Sequence, residues 1–324
     1  MLNAEIMDRY DLKKEWRGAG FYETDSHRRI ADAVRTGLGS GRLIAITGPV
    51  GVGKTVFLHR LQDEIASEKR VIVAESLSVD TARTTVPTLI AALFYDLARE
   101  KEVKIPAQGE RRERELRKLV QRAGKPVALF VDEAHDLHSR TLSGLKRLME
   151  VISRGGGNLS VVLVGHPKLR NDLRRPTMEE IGHRTDVLAF DGLGNEARPY
   201  LDWLLGECIS DDVGTDAVIE PAALDLMAQR LRTPLQFVEH LNRAFEAGLC
   251  TGQKPVTADI VEATLAPDFD DLEPRLTRQG YSVKVLAEQF HARPLEIRRF
   301  LNGQLEAGRT RELADRMRTA GLAL

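Results

Sequence analysis

The chain has 324 residues, 42% hydrophobic and 29% charged, with a formal net charge of −1. That is enough apolar material for two ordinary cores and a small third module, and the near-neutral balance excludes wholesale electrostatic capture of nucleic acid while leaving room for a local basic face. Cys208 and Cys250 form no C-x-x-C pair, so neither a disulfide framework nor a cysteine zinc site is indicated, and no apolar run reaches the roughly eighteen residues of a membrane span.

These features predict a cytoplasmic protein with no membrane association and with both cysteines as buried thiols. Residues 1–26 mix charge with Tyr10, Trp16, Phe21 and Tyr22, and Ser26 leads into a helix that runs through Leu38. A segment in this position either borders a nucleotide base through Phe21 and Tyr22 or packs into a core. Leu43 to Thr47 is a short apolar β-rich run, and behind it stand Gly48, Pro49, Val50, Gly51, Val52, Gly53, Lys54 and Thr55, followed by a helical pattern from Val56. This is G-x-x-x-x-G-K-T between a strand and a helix, the P-loop in its expected context. Glycines let successive N–H groups converge on a phosphate at the positive end of the following helix. Lys54 is then placed to neutralise the β- and γ-phosphates of ATP, and the Thr55 hydroxyl to bind Mg2+.

Arg70 to Glu75 reads as a second strand, buried on both faces, and Thr88 to Glu102 as a helix. From Ala98 to Arg122 basic residues alternate with glutamates, either a solvated helix face or a phosphate contact. Lys125 to Val131 is an apolar strand that ends in Asp132 and Glu133, with Asp132 following Lys54 by 78 residues. This is a Walker B pattern: Asp132 at the strand's carboxyl edge holds Mg2+, and Glu133 polarises the attacking water. The string Asp132-Glu133-Ala134-His135 also suggests a helicase, a reading that needs a second α/β domain which the remaining, helical sequence does not supply. Leu142 to Ile152 forms a helix, and Asn158 to Gly165 another buried strand that ends at His166. His166 either faces the γ-phosphate across the sheet edge or caps the next helix.

A P-loop, a Walker B pair, a strand ending in a polar residue, Pro167-Lys168-Leu169-Arg170 and a later Arg184 before a short strand together resemble the AAA+ ATPases. From Gly20 to about Leu205 the chain is similar to the ExeA, TniB, TnsC and MuB group, in which G-x-P-x-L-R precedes an arginine and a strand. The resemblance implies an α/β fold: a P-loop AAA+ parallel sheet flanked by helices, an α-helical lid and a small helical C-terminal module. It makes His166 the first sensor and Arg184 the finger that reaches a neighbouring subunit's γ-phosphate, with Arg174 and Arg175 as rivals and a surface salt bridge as the plain alternative. It also implies slow, assembly-dependent ATP hydrolysis.

The domains expected are an N-terminal segment (1–26), the AAA+ nucleotide-binding domain (27–192), the lid (193–266) and a C-terminal module (267–324). In the lid, Pro221 and Pro234 open helices. Related chains read G-x-P-R there and sense phosphate with the arginine; here Thr233-Pro234-Leu235-Gln236 lacks it, leaving Pro234 as the matching nucleotide-side position. Residues 274–324 carry ten basic and five acidic side chains. Val283 to Phe290 and Ala292 to Leu301 are spaced like a helix-turn-helix, which offers Arg293, Arg298 and Arg299 either to double-stranded DNA or to a partner protein.

The resemblance implies an ATP-held ring or helical filament on DNA that selects targets for, or regulates, a transposase, with Arg83, Thr84, Arg140 and Lys146 as further DNA contacts. An ExeA-like ATPase energising envelope transport and an origin-loading AAA+ ATPase are the alternatives. The first is expected to bring a membrane helix or a peptidoglycan-binding module, and the second strands for a wing. Neither signal is read in the sequence.

Overall fold

A computed structural model describes residues 2, 4–76, 84–98, 104–175, 178–182, 184–265, 272–322 and 324. The chain separates into two compact units. One comprises residues 26–49, 54–190 and 276–324; the other comprises residues 1–25, 50–53 and 191–275.

The first unit is built on a parallel sheet in the order β2-β3-β4-β1-β5. Its strands are β1 (Leu43–Thr47), β2 (Ile72–Glu75), β3 (Val127–Val131), β4 (Leu159–Gly165) and β5 (Thr185–Ala189). Every residue of β1, β3 and β4 is buried, as an unbroken apolar run must be when helices cover both faces of a sheet. The helices joining these strands are α2 (Asp25–Leu38), α3 (Lys54–Glu68), α4 (Val86–Leu97), α5 (Gly109–Ala123), α6 (Ser139–Ser153), α7 (Pro167–Leu173) and α8 (Glu179–Gly182); α1 (Ala4–Arg9) belongs to the second unit. Leu129, Val131, Val161 and Leu163 form the centre of the core with Leu89, Leu93, Leu145 and Ile152.

Two local expectations change. β2 is an edge strand bonded to β3 on one side, and of its four residues Ala74 alone is buried while the other three are partly exposed, short of the full burial expected. The helix expected from Thr88 starts at Val86 and ends at Leu97, where Ala98 turns extended; residues 99–103 lie outside the described part.

The second unit is helical: α9 (Ala197–Cys208), α10 (Pro221–Arg230), α11 (Pro234–Thr251) and α12 (Ala258–Thr264). Pro221 and Pro234 sit in first turns, where the missing N–H has no helical partner to lose. Thr233 and Gln236 complete a capping box on α11, and Gly252 ends it at φ 69°. Phe237, Leu241, Ala244, Phe245 and Gly248 form the buried stripe of α11. Cys250 falls off that stripe and is exposed, whereas Cys208 on α9 is buried; the expectation of two buried thiols is corrected for Cys250. Tyr10 and Trp16 pack edge-on against Phe245, with ring centroids 4.7 and 5.3 Å away. Tyr22 donates to Glu196 at 2.9 Å and lies against Tyr200 and Trp203, which makes it part of this helical core.

α13 (Leu272–Arg278), α14 (Val283–Gln289), α15 (Pro294–Leu301) and α16 (Ala307–Thr319) complete the chain. From residue 276 onward they belong to the sheet's unit. No helix among the described residues is long and apolar enough to cross a membrane.

Candidate nucleotide site

The P-loop starts where β1 stops. A Cβ on Gly48 would stand 2.2 Å from the Phe190 carbonyl oxygen, so the chain leaving β5 passes too close for any side chain there. Gly51 and Gly53 hold φ of 83° and 94°, the left-handed region that favours glycine. Lys54, 7% exposed, opens α3, and its Nζ donates to the Gly48 and Pro49 carbonyls at 2.8 and 2.9 Å. Burial pulls its pKa down, and the Glu133 and Asp132 carboxylates oppose that shift. Fifteen residues of helix point their positive end at this loop, an arrangement that favours a phosphate.

Thr55 Oγ1 donates to Asp132 Oδ2 at 2.8 Å, so the P-loop hydroxyl and the carboxylate just past β3 already touch. These are the oxygen ligands magnesium takes, and they fit an ion that keeps several waters and is otherwise held by phosphate. Asp132 Oδ1 also accepts the Glu133 N–H at 2.8 Å. Glu133 itself has φ 50°, a strained backbone for a side-chain-bearing residue. Burial raises its pKa, Asp132 raises it further, and Lys54 opposes both.

β3 and β4 are in register, with Val131 opposite Leu163, so the residues just beyond their ends meet. His135, in the short turn Ala134–Asp136, packs on His166 with ring centroids 3.8 Å apart and the two planes tilted by 34°. Glu133 Oε2 lies 3.2 Å from His135 Nδ1 and 4.0 Å from His166 Nε2. Both imidazoles are held neutral. Burial lowers His135 to about 4, helped by the Lys168 and Lys54 charges. Burial likewise lowers His166 to about 3, with His135 and Lys54 adding to the shift. His166 precedes α7 as its cap residue, yet its side chain makes no capping bond.

Lys54, Thr55, Asp132, Glu133 and His166 thus converge at the carboxyl edge of the sheet. Arg184 does not join them: it precedes β5, whose first residue, Thr185, pairs with Leu43 at the amino edge. Its side chain is 68% exposed and reaches Glu150 at 3.2 Å, in a cleft of about 600 Å³ that Arg42, Lys146 and Arg154 also line. Arg175 is bound to Asp172 at 2.8 Å. Pro234 is the first residue of α11, where within the helical unit the Leu235 N–H donates to the Gly51 carbonyl at 3.2 Å.

The residues assigned to DNA scatter. Arg83 lies outside the described residues. Thr84 is 1% exposed and its carbonyl accepts from Thr141, a location that presents no side chain to a duplex. Lys146 sits in the Arg184 cleft, while Arg140 lines a different groove with Ser143 and Arg147 along one face of α6. Arg293, Arg298 and Arg299 are all exposed on or before α15.

Three relationships escaped sequence reasoning: the Gly48 approach to Phe190, the His135–His166 contact, and the seat of the C-terminal module. The Lys168 N–H donates to the Gln279 carbonyl at 3.2 Å, and Asn171 Nδ2 donates to the Tyr281 hydroxyl at 2.7 Å. A Cβ on Gly280 would stand 2.8 Å from His166 Cβ. The glycine at 280 was the one local hint.

Residues 37–173 match the family described as AAA domain. Over 167 residues the chain is 28% identical to General secretion pathway protein A of Aeromonas hydrophila, an alignment covering 50% of this chain and 29% of that protein. The match therefore spans somewhat less than a third of that relative's length. The Aeropyrum pernix ORC2 protein, solved with ADPNP and ADP, superposes with a TM-score of 0.59 at 16% identity, covering 96% of this chain and 91% of that one. The ORC1 protein of the same organism, in complex with DNA, gives a TM-score of 0.50 at 16% identity, covering 96% and 88%. At such identity the likeness is one of fold alone.

Proposed function

We propose that the chain is an ATP-dependent AAA+ ATPase that assembles with copies of itself on double-stranded DNA and acts there as a target selector or regulator of a transposase. The observation that carries this reading is the separation of its parts. Lys54, Thr55, Asp132 and Glu133 stand at one sheet edge and Arg184 at the other. β5 has five residues, so roughly 16 Å of strand lies between Arg184 and the level of its own P-loop. A second copy is what brings the guanidinium to a γ-phosphate.

Within one copy, Lys54 turns from the loop carbonyls to the β- and γ-phosphates of ATP, and the Thr55 and Asp132 oxygens would hold the magnesium ion. Bound magnesium supplies charge neutralisation on the phosphate oxygens. Glu133 orients the attacking water and takes its proton, and His166 faces the reacting phosphate from β4. Arg184 of the neighbouring copy stabilises the transition state, an effect worth about 10³–10⁵ in rate in P-loop enzymes. Hydrolysis then loosens the contact that ATP holds. The groove lined by Arg140 and Arg147 and the exposed arginines 293, 298 and 299 supply phosphate contacts.

A second reading, an energising ATPase for envelope transport, is favoured by the identity to General secretion pathway protein A; the fold likeness to DNA-bound ORC1 favours the DNA reading instead. The test is electron microscopy of the chain with duplex DNA and a non-hydrolysable ATP analogue. Rings or filaments that need both additions are the expected result, and a chain that stays monomeric with both present removes the proposal.

A further inference from the structure

Three side chains from two adjacent strand ends form a donor set that the ATPase chemistry does not use as a unit. Ligand atoms of Glu133, His135 and His166 all lie within 4.8 Å of one another. Glu133 Oε2 is 3.2 Å from His135 Nδ1 and 4.0 Å from His166 Nε2. A tetrahedral zinc ion with bonds of about 2.0–2.1 Å requires donors spaced by roughly 3.3 Å, so the Glu133–His135 pair is in place, the Glu133–His166 pair closes by less than an ångström, and the two imidazole donors already lie within 4.8 Å of each other.

The second observation is what the imidazoles leave undone. His135 is 9% exposed, and its Nδ1, which faces Glu133, makes no hydrogen bond among the described residues; His166 Nδ1 makes none either. Buried polar atoms in folded proteins are almost always satisfied, so the unsatisfied His135 Nδ1, which faces Glu133, marks a place for a water or an ion. The surroundings hold the rings in place. A Cβ on Gly165 would stand 3.0 Å from His135 N, and one on Gly280 would stand 2.9 Å from His166 Nδ1, so two glycines allow the backbone to close around the pair. Asp136 lies 3.7 Å from His135 Nε2, where a carboxylate orients a metal-bound imidazole.

We propose that Glu133, His135 and His166 bind one divalent transition ion of the zinc class, with a fourth position open to water or phosphate. Two imidazole nitrogens and one carboxylate oxygen suit zinc, whereas Thr55 and Asp132 offer oxygen alone, which suits magnesium. The site was invisible to cysteine spacing because it uses none. An ion here occupies the Glu133 oxygen that would take the water's proton, so zinc arrests ATP hydrolysis. That consequence rests on the role given to Glu133 above, while the binding itself does not.

The test uses the full chain, stripped of metal and without nucleotide. Zinc is titrated against a chromophoric chelator, and cobalt(II) is added separately to read its visible spectrum. One equivalent of zinc is expected, with affinity falling at least about tenfold in His135→Gln and in His166→Gln and unchanged in His59→Gln and Cys250→Ser. Cobalt should give the intense visible bands of a four-coordinate ion. Wild-type affinity in both histidine variants, no uptake at micromolar zinc, or a six-coordinate cobalt spectrum from the unmodified chain overturns the site. Zinc that binds without slowing hydrolysis overturns the arrest and leaves the site. Glu133→Gln hydrolysing at the wild-type rate removes the catalytic reading of Glu133 and leaves the binding result intact.

Discussion

Thr55 Oγ1 and Asp132 Oδ2 are joined by a 2.8 Å hydrogen bond across 77 residues of sequence. The bond brings the start of α3 and the end of β3 into one site, and it reserves the two oxygens for a cation.

Thr55→Ala removes one of those oxygens. Thr55 is exposed, so thermal stability should change by less than about 1 kcal/mol. The magnesium concentration needed for half-maximal hydrolysis should rise about tenfold or more, and Thr55→Ser should restore it. A magnesium titration of the ATPase rate reads the result. An unchanged requirement in the alanine variant would mean the hydroxyl holds no metal.

Glu133→Gln should keep nucleotide affinity and lower hydrolysis by about 10²–10⁴, the usual worth of a general base. In the wild type, burial and Asp132 raise the Glu133 pKa, so the acid limb of the rate profile should lie above the ordinary carboxylate range. The sign for stability is the reverse of the usual carboxylate case. The folded state binds the proton more tightly than the unfolded one, so stability falls as pH climbs from the unfolded pKa through the raised one. Glu133→Gln should therefore melt at or above the wild-type temperature at pH 7 and level with it at pH 4.

Arg184→Ala should leave nucleotide binding intact, since the residue stands at the far sheet edge from its own P-loop. Its pair with Glu150 is exposed, so melting should hardly change. Hydrolysis in the assembled state should fall about 10³-fold or more. Mixing Arg184→Ala with Lys54→Ala subunits decides whether the action crosses between copies. Lys54→Ala copies still carry Arg184, so part of the activity should return in the mixture. No recovery at any ratio would reassign Arg184 to its pair with Glu150.

Much of this was legible in the sequence, for reasons that are local. β1 and β3 are unbroken apolar runs, and the glycines, Lys54 and Asp132 sit at distances that only a strand-loop-helix and a following strand accommodate. The caps at Pro221 and Pro234 are equally local. What was not legible depends on pairings across the fold. β2 reads like its neighbours, and only the strand order makes it an edge. Thr84 looks like a loop polar residue until Thr141 binds its carbonyl in the interior. Lys146 and Arg140 are six positions apart on α6, and helical geometry sends them to separate clefts. His135 and His166 pack together because β3 and β4 are adjacent and in register, which no spacing in the sequence announces.

The seat of the C-terminal module can be tested through Gly280. It has φ 91°, and a Cβ there would meet His166 Cβ at 2.8 Å, whereas Gly303 has φ 66° with nothing within 4 Å. Alanine at either position brings the left-handed penalty of roughly 1–2 kcal/mol, but only at 280 does it also strike the His166 ring. Gly280→Ala should destabilise the chain more than Gly303→Ala and should alter nucleotide affinity, with thermal melts and nucleotide titrations as readouts. Equal effects at the two glycines would mean that the module does not bear on His166.

The paired histidines set the acid response of the metal-free protein. Their folded pKa values, about 4 for His135 and about 3 for His166, lie below the ordinary histidine value. Between pH 6.5 and 4 the unfolded chain therefore binds protons that the folded chain refuses, so stability rises with pH through that window and is lost on acidification. Taking the metal-free chain from pH 7 to pH 5 should cost of order 1–2 kcal/mol per buried imidazole, read by urea denaturation at the two pH values. His166→Gln removes one of the two titrating rings. Its loss over the same interval should be smaller than the wild type's by about the share of one histidine. An identical acid loss in the variant would mean that His166 is protonated in the folded chain, and that the neutral pair beside Glu133 does not form.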